Sequence, residues 1–240
     1  MNMIQKYGEY LMKHLEKAVL NQQESILQAA QLVKKSILAG GRFYVFGSGH
    51  SHMIAEELYN RAGGLALIKA ILEPSLMLHE EPNKSTYLER LEGYAEVLLN
   101  LKEVGSKDTV MIVSNSGRNA VVVEMAIKAR ELGAGVIAMT SMSHSSKVSS
   151  RHQSGKRLFE LADVILDNGA ETGDAAFFVE GLETPTGPTS SFAGIALAQT
   201  MLVTILNELV AAGFEPPVFK SSNLDGADQY NDLLFKTYVK

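Results

Sequence analysis

Cysteine is absent from the 240 residues. That excludes disulfides, thiolate nucleophiles and cysteine-based metal sites, and it agrees with a reducing cytoplasm. There is no tryptophan, and basic residues are not in excess: 22 Lys and Arg stand against 27 Asp and Glu, a formal net charge of -5. A chain this acidic is not a general nucleic-acid binder. An anionic ligand would have no basic surface to rely on and would need a local cradle of backbone N–H groups. Met1–Lys35 alternates charged and apolar residues and has no apolar core of a secretory signal. Thr184–Asn207 carries no charge, but Pro185, Pro188, Ser190, Ser191, Gln199 and Thr200 interrupt it. It therefore falls short of the ~20 predominantly apolar residues of a bilayer span and reads as a loop and a buried core helix. A soluble, cytoplasmic protein without membrane contact is expected.

The rest of the composition is that of a globular chain, 46% hydrophobic and 20% charged with 20 Gly and 6 Pro. Disordered, collagenous and repeat-dominated classes are excluded, and the length suits one large α/β domain with helical additions. Apolar residues at helical spacing in Met3–Leu38 predict two helices hinged near Asn21. Short buried strands are expected at Arg42–Phe46, Leu65–Leu72, Thr109–Val113, Val136–Thr140 and Val164–Leu166. Helices are expected at His52–Ala62, Leu88–Val104, Ala120–Leu132 and Ser191–Ala211. The tail from Lys220 is polar apart from Tyr230, Leu233, Leu234, Phe235 and Tyr238, and it should pack on another surface. Strands alternating with helices imply a parallel sheet covered on both faces, an αβα sandwich. Ligands of such sheets bind beyond the carboxyl ends of the strands. Ser141–Lys156, Ser-rich with His144, Lys147, Arg151 and His152, is too long for a simple connection and reads either as a surface loop or as a lid.

Two strand-to-helix loops are chemically informative. Gly47-Ser48-Gly49-His50-Ser51 stands where a dinucleotide loop would stand, but it lacks the third glycine, and the second strand runs to Glu73-Pro74 without a clean match to the acidic residue of that fingerprint. A Walker Gly-Lys-Ser/Thr is also missing. Ser114-Asn115-Ser116-Gly117-Arg118-Asn119 places short polar side chains around a glycine, where the free N–H groups of a helix start point outward and suit a phosphate monoester. Ser and Asn favour caps and turns whatever the function. Two such loops, with Gly187-Pro188-Thr189-Ser190-Ser191 opening the last helix, favour phosphate.

A strand, Gly47-Ser48-Gly49-His50-Ser51 and a helix, followed by a strand, Ser114-Asn115-Ser116-Gly117 and a helix, resemble the SIS (sugar isomerase) domain, nearest to phosphoheptose-isomerase-like bacterial proteins. The resemblance spans about residues 35–212. It implies a three-layer, flavodoxin-like αβα sandwich with a five-stranded parallel sheet, N-terminal helices over 1–38 and a tail over 213–240, all in a single domain. It also implies a phosphosugar ligand, no cofactor, and homodimers or homotetramers. Carried over, Ser51, Ser114, Asn115, Ser116 and Asn119 contact the phosphate or sugar, with Gly47, Ser48, Gly49, His50 and Gly117 shaping the cradle and Thr189 and Ser190 closing it. Counted without gaps from the glycine loop, the catalytic Glu of phosphoheptose isomerases falls on Arg61 and their catalytic His near Gln199.

Aldose–ketose isomerisation needs a base for the proton beside the carbonyl and a donor at the oxygens. Glu57, on one helical face with Arg61, and His79 with Glu80 are the acid–base candidates. Glu80 would orient His79; a solvated acidic loop is the plainer account of these two. A metal held by His50, His52 and Glu57 has no diagnostic spacing, and none is assigned. Lys84, Arg90 and Arg118 are candidates for added positive charge, Arg118 the best placed. Three functions fit: a phosphosugar isomerase or related sugar-phosphate enzyme, a non-catalytic sugar-phosphate sensor, or an etherase acting on a phosphorylated amino sugar.

Overall fold

The computed structural model describes residues 1–81 and 83–239. Helix α1 (Met3–Val19) starts in a reciprocal cap, with Asn2 Oδ1 accepting from the Gln5 amide at 2.9 Å and Gln5 Oε1 from the Asn2 amide at 3.0 Å. A single 3₁₀ turn, Leu20–Gln22, leads into α2 (Gln23–Leu38), so the expected hinge at Asn21 is present. Helix α2 buries Ile26, Ala29, Ala30, Val33 and Ile37, one face of a 3.6-residue period.

Five strands follow: β1 (Phe43–Gly47), β2 (Ile68–Ile71), β3 (Thr109–Val113), β4 (Gly135–Thr140) and β5 (Val164–Asp167). They pair in parallel in the order β2-β1-β3-β4-β5. Alternate residues feed two apolar layers, as the two-residue period of a strand requires. Phe43, Val45, Met111, Val113, Ile137 and Met139 face α2, α3 (His52–Leu58) and α8 (Ser190–Ala211). Tyr44, Phe46, Val110, Ile112, Val136 and Ala138 face α5 (Tyr94–Leu101) and α6 (Ala120–Glu131). Each fully buried Val, Ile, Met or Phe among them contributes roughly 1.5–3 kcal/mol. The three-layer sandwich expected from the alternation is what forms. Helix α8 has the length and composition of a membrane-crossing helix, yet it packs against α1, α2 and α3.

Two helices differ from the sequence pattern. His52–Ala62 stops at Leu58, because Tyr59 turns extended (φ -94, ψ 130) and Asn60 then takes a left-handed backbone (φ 50). Leu88–Val104 is not one helix. A short α4 (Lys84–Leu88) ends at Glu89, and α5 begins only after Gly93, whose φ is 88. The carboxylate of Glu124, from α6, accepts the amides of Gly93 at 2.8 Å and Ala95 at 3.2 Å and so caps the new helix start. The Ser141–Lys156 segment holds the short α7 (Met142–Ser145). A hairpin of β6 (Ala175–Phe177) and β7 (Thr186–Pro188) precedes α8. In the tail, residues 217–219 pair antiparallel with the segment leading into β2: the Ala66 amide donates to Pro217 O at 2.8 Å and the Phe219 amide to Gly64 O at 3.0 Å. Helix α9 (Ala227–Leu234) then buries Leu234 with Phe219 and Ala66, so the tail packs on the sheet edge as its apolar residues suggested.

Candidate functional site

Strand order reverses between β1 and β3, so the loops after these strands flank the crevice where open parallel sheets bind ligands. The first loop turns through Gly49 at φ 55. The second is drawn tight by Ser114, whose Oγ accepts the Gly117 amide at 3.1 Å, while the Gly117 carbonyl accepts the Leu158 amide at 2.8 Å. Gly117 needs its glycine twice over. Its φ is 59, and a Cβ would stand 2.9 Å from Ser145 Oγ and 3.2 Å from Leu158 Cβ. Asn115 is fixed from both sides: its carbonyl accepts Thr140 Oγ1 at 3.2 Å and its Oδ1 accepts Asn168 Nδ2 at 3.2 Å. Among the described residues, the side chains of His50, Ser51 and Ser116 have no protein hydrogen-bond partner. Asn119 is the N-cap residue of α6, but its side chain does not cap that helix.

The Asn119 side chain instead reaches Glu89, a residue the sequence pattern hid inside a helix. Glu89 accepts Asn119 Nδ2 at 2.7 Å on one carboxylate oxygen and Ser48 Oγ at 2.9 Å on the other. Its backbone carbonyl takes the Val121 amide at 3.1 Å. One carboxylate thus ties the β1 loop to the β3 loop. Burial pushes its pKa above the usual carboxylate range, against the lowering pull of the Ser48 hydrogen bond and of Arg90 and Arg151. Arg151 closes the network by donating to Asn119 Oδ1 at 2.9 Å. Gly93 was the available signal, since a glycine inside an apolar periodic run marks a possible break.

The other acid–base candidates are arranged differently. Glu57 accepts Gln199 Nε2 at 2.9 Å and pairs with the Arg61 guanidinium. Arg61 lies past the end of α3, so this contact bridges out of the helix. Arg61 and Gln199 therefore meet at the carboxylate of Glu57. His52 is buried, hydrogen-bonded through Nδ1 to the Gly49 carbonyl, with Nε2 3.5 Å from Glu56 and its ring 6.3 Å from that of His79. His79 is exposed; Glu80, also exposed, pairs with Lys84 at 3.0 Å rather than with His79. No three His, Asp or Glu side chains among the described residues converge in a metal-binding arrangement.

At the α8 start three donors are engaged by one carboxylate. Asp174, itself left-handed at φ 70, accepts the amides of Thr189 at 3.0 Å and Ser190 at 2.8 Å and the Ser190 hydroxyl at 2.6 Å. Thr189 Oγ1 is buried without a partner. The Ser141–Lys156 segment is stitched to the phosphate-type loop, with the Arg151 amide on Arg118 O at 2.8 Å. Cavities of about 690 Å³ beside Tyr10, His14 and Glu171, and of about 450 Å³ at the opposite ends of the strands, do not include the two loops.

Comparison with known proteins agrees with this architecture. The SIS domain model matches residues 6–141. A UPF0309 protein of Halalkalibacterium halodurans is 60% identical over 234 residues, covering 98% of this chain and 97% of its own. A UPF0309 protein of Shouchella clausii is 42% identical over 239 residues, covering 99% and 97%. Among solved structures, phosphoheptose isomerases superpose on the fold. That of Neisseria gonorrhoeae has a TM-score of 0.53 at 18% identity, covering 85% of this chain and 97% of its own. That of Francisella tularensis has a TM-score of 0.53 at 17% identity, covering 86% and 100%. At such identities the shared property is the fold. With more than half its length matched by the SIS domain model and close relatives along nearly all of it, the chain belongs to the SIS domain family, in its UPF0309 group.

Proposed function

We propose that the Ser48–Ser51 and Ser114–Asn119 loops hold a sugar phosphate, and that the protein is a phosphosugar isomerase or a related sugar-phosphate enzyme working without a cofactor. Glu89 carries this reading. A carboxylate buried between two polar ligand-side loops, with its pKa raised, is nearer the pH at which a general acid–base group works best. In the isomerase reaction Glu89 takes the proton from the carbon beside the carbonyl, giving an enediolate, and returns it to the former carbonyl carbon, while the hydroxyl proton passes from one oxygen to the other. Ser114, Ser116 and the N–H groups at the α6 start hold the phosphate meanwhile. Glu89 suits this task better than Glu57, whose carboxylate is neutralised by Arg61, or than the exposed His79 and Glu80. The names of the structural neighbours, phosphoheptose isomerases, agree with the substrate class.

The sensor reading has its own support: Arg61 and Gln199 stand at the positions where the resemblance puts the catalytic Glu and His, and they hold Glu57 in a closed contact. A panel of hexose, heptose and amino-sugar phosphates, followed by calorimetry and by NMR detection of isomer or ether-cleavage products, separates the two. Turnover of at least one compound, abolished in Glu89→Gln with binding retained, is expected. Binding without turnover across the panel leaves the sensor, and no binding at all refutes the phosphosugar site.

A further inference from the structure

Residues 141–157 contain Lys147, Arg151, Lys156 and Arg157 and no acidic residue, in a chain whose net charge is -5. The fold lays this segment over the Ser114–Asn119 loop. Arg157 is consumed structurally, pairing with Glu160 and donating to the carbonyls of Ser145 and Ser146. Arg151 is not: it is exposed and touches only Asn119 and the Arg118 carbonyl. Arg118 precedes Asn119, and Arg90 follows Glu89. Arg118 and Arg90 lie near enough to Arg151 to act on it as like charges, and Arg90 and Arg151 near enough to Glu89 to attract it, so the three guanidinium groups gather around the hydrogen bond from Asn119 to Glu89. None of the three has a carboxylate partner among the described residues. Arg118 Nε is buried with no hydrogen-bond partner, and its NH2 reaches only Ser149 Oγ at 3.4 Å.

One carboxylate does not balance three guanidinium groups. Glu89 attracts Arg90 and Arg151 but makes its hydrogen bonds with Ser48 and Asn119, and Glu92 accepts the Gln153 amide at 3.1 Å. Burial, then the charges of Arg118 and Arg90, lower the pKa of Arg151, and burial followed by Arg118 lowers that of His144, in both cases against one opposing carboxylate. Like charges held together without a counter-ion are unfavourable, and guanidinium groups bind carboxylates and phosphates in paired hydrogen bonds. Resting on the phosphosugar reading above, we infer that the ligand carries a second anionic group, a carboxylate or another phosphate, which Arg118 and Arg151 receive while the loop amides hold the first.

Two probes isolate the added charge. Sorbitol 6-phosphate and 6-phosphogluconate share an open, phosphorylated six-carbon chain and differ at the far end by a hydroxymethyl against a carboxylate. Calorimetry at low ionic strength, where exposed charges are least screened, should show 6-phosphogluconate binding about tenfold tighter. Arg118→Gln, with its fold checked by circular dichroism, should erase most of that ratio. Equal affinity of the two compounds, or a ratio unchanged in Arg118→Gln, overturns the second anion site while leaving the phosphate loop intact. An Arg118-dependent gain for 6-phosphogluconate with no binding of sorbitol 6-phosphate supports the arginines and overturns the phosphate loop. Failure of both compounds to bind overturns both readings.

Discussion

Replacing Glu89 tests the centre of the site through stability alone, before any substrate is known. Its folded-state pKa lies above the ordinary carboxylate value, so the folded chain binds more protons than the unfolded chain between those two values. Stability contributed by the group is therefore greatest below the ordinary value and is lost as pH rises through the raised one. Glutamine is neutral and nearly isosteric: its Oε1 can accept from Asn119 Nδ2, and its Nε2 can donate to Ser48 Oγ. Glu89→Gln should thus abolish this share of the decline and leave the variant at least as stable as the parent at pH 8. Alanine leaves Ser48 and Asn119 without their acceptor, and at 8% and 7% exposure neither is readily repaired by water. Two hydrogen bonds to a charged acceptor at about 1.5–3 kcal/mol each suggest a loss of roughly 3–6 kcal/mol for Glu89→Ala. For a chain of this length that is a fall in Tm of roughly 6–24 °C. Thermal unfolding followed by circular dichroism from pH 4.5 to 8.5 reads both effects. The other titrating groups cancel when each variant is compared with the parent at the same pH. If Glu89→Gln keeps the parental slope, or if Glu89→Ala is as stable as Glu89→Gln, the bridging carboxylate is misread.

Two further outcomes are expected. Ser116→Ala should weaken phosphosugar binding tenfold to a hundredfold, the equivalent of one charge-assisted hydrogen bond of ~1.5–3 kcal/mol, while unfolding is unchanged; unaltered affinity by calorimetry would move the phosphate elsewhere. Light scattering should report at least a dimer at micromolar concentration, because α1 exposes Ile4 (84%) and Met12 (63%), Met12 lying in an apolar groove of about 950 Å³ with Leu15, Val19 and Ala196; a monomer ends that expectation.

The parts of the fold written in local pattern were legible. Buried strands such as Thr109–Val113 show as short apolar runs bounded by turn residues, and the glycines of both loops announce where the chain must turn. Glu89 was not legible, because its environment comes from residues far away in sequence. Apolar periodicity runs through Leu88–Val104 with only Gly93 to hint at a break, and the carboxylate that stabilises the break, Glu124, sits on another helix. Counting along α3 put Glu57 and Arg61 on one helical face, and the two do touch, although the helix has ended before Arg61. Likewise the polar start of α8 reads as a ligand contact in sequence, while in the fold Asp174 accepts the Thr189 and Ser190 amides and the Ser190 hydroxyl through a left-handed backbone that residue type alone does not foretell.

The pairing of residues 217–219 beside β2 bears on how the chain is made. Parallel sheets assemble from non-local contacts and are slow to close, and an open edge is a template for other chains. Here the segment leading into β2 is made about 150 residues before the strand that pairs with it and the α9 side chain that packs on Ala66. Until residues 217–219 follow, the amides of Gly63 and Ala66 lack their native acceptors, the carbonyls of Phe219 and Pro217. Synthesis through α9 is thus the step that satisfies these groups, and chains interrupted before residue 217 should leave them open to pairing with other chains.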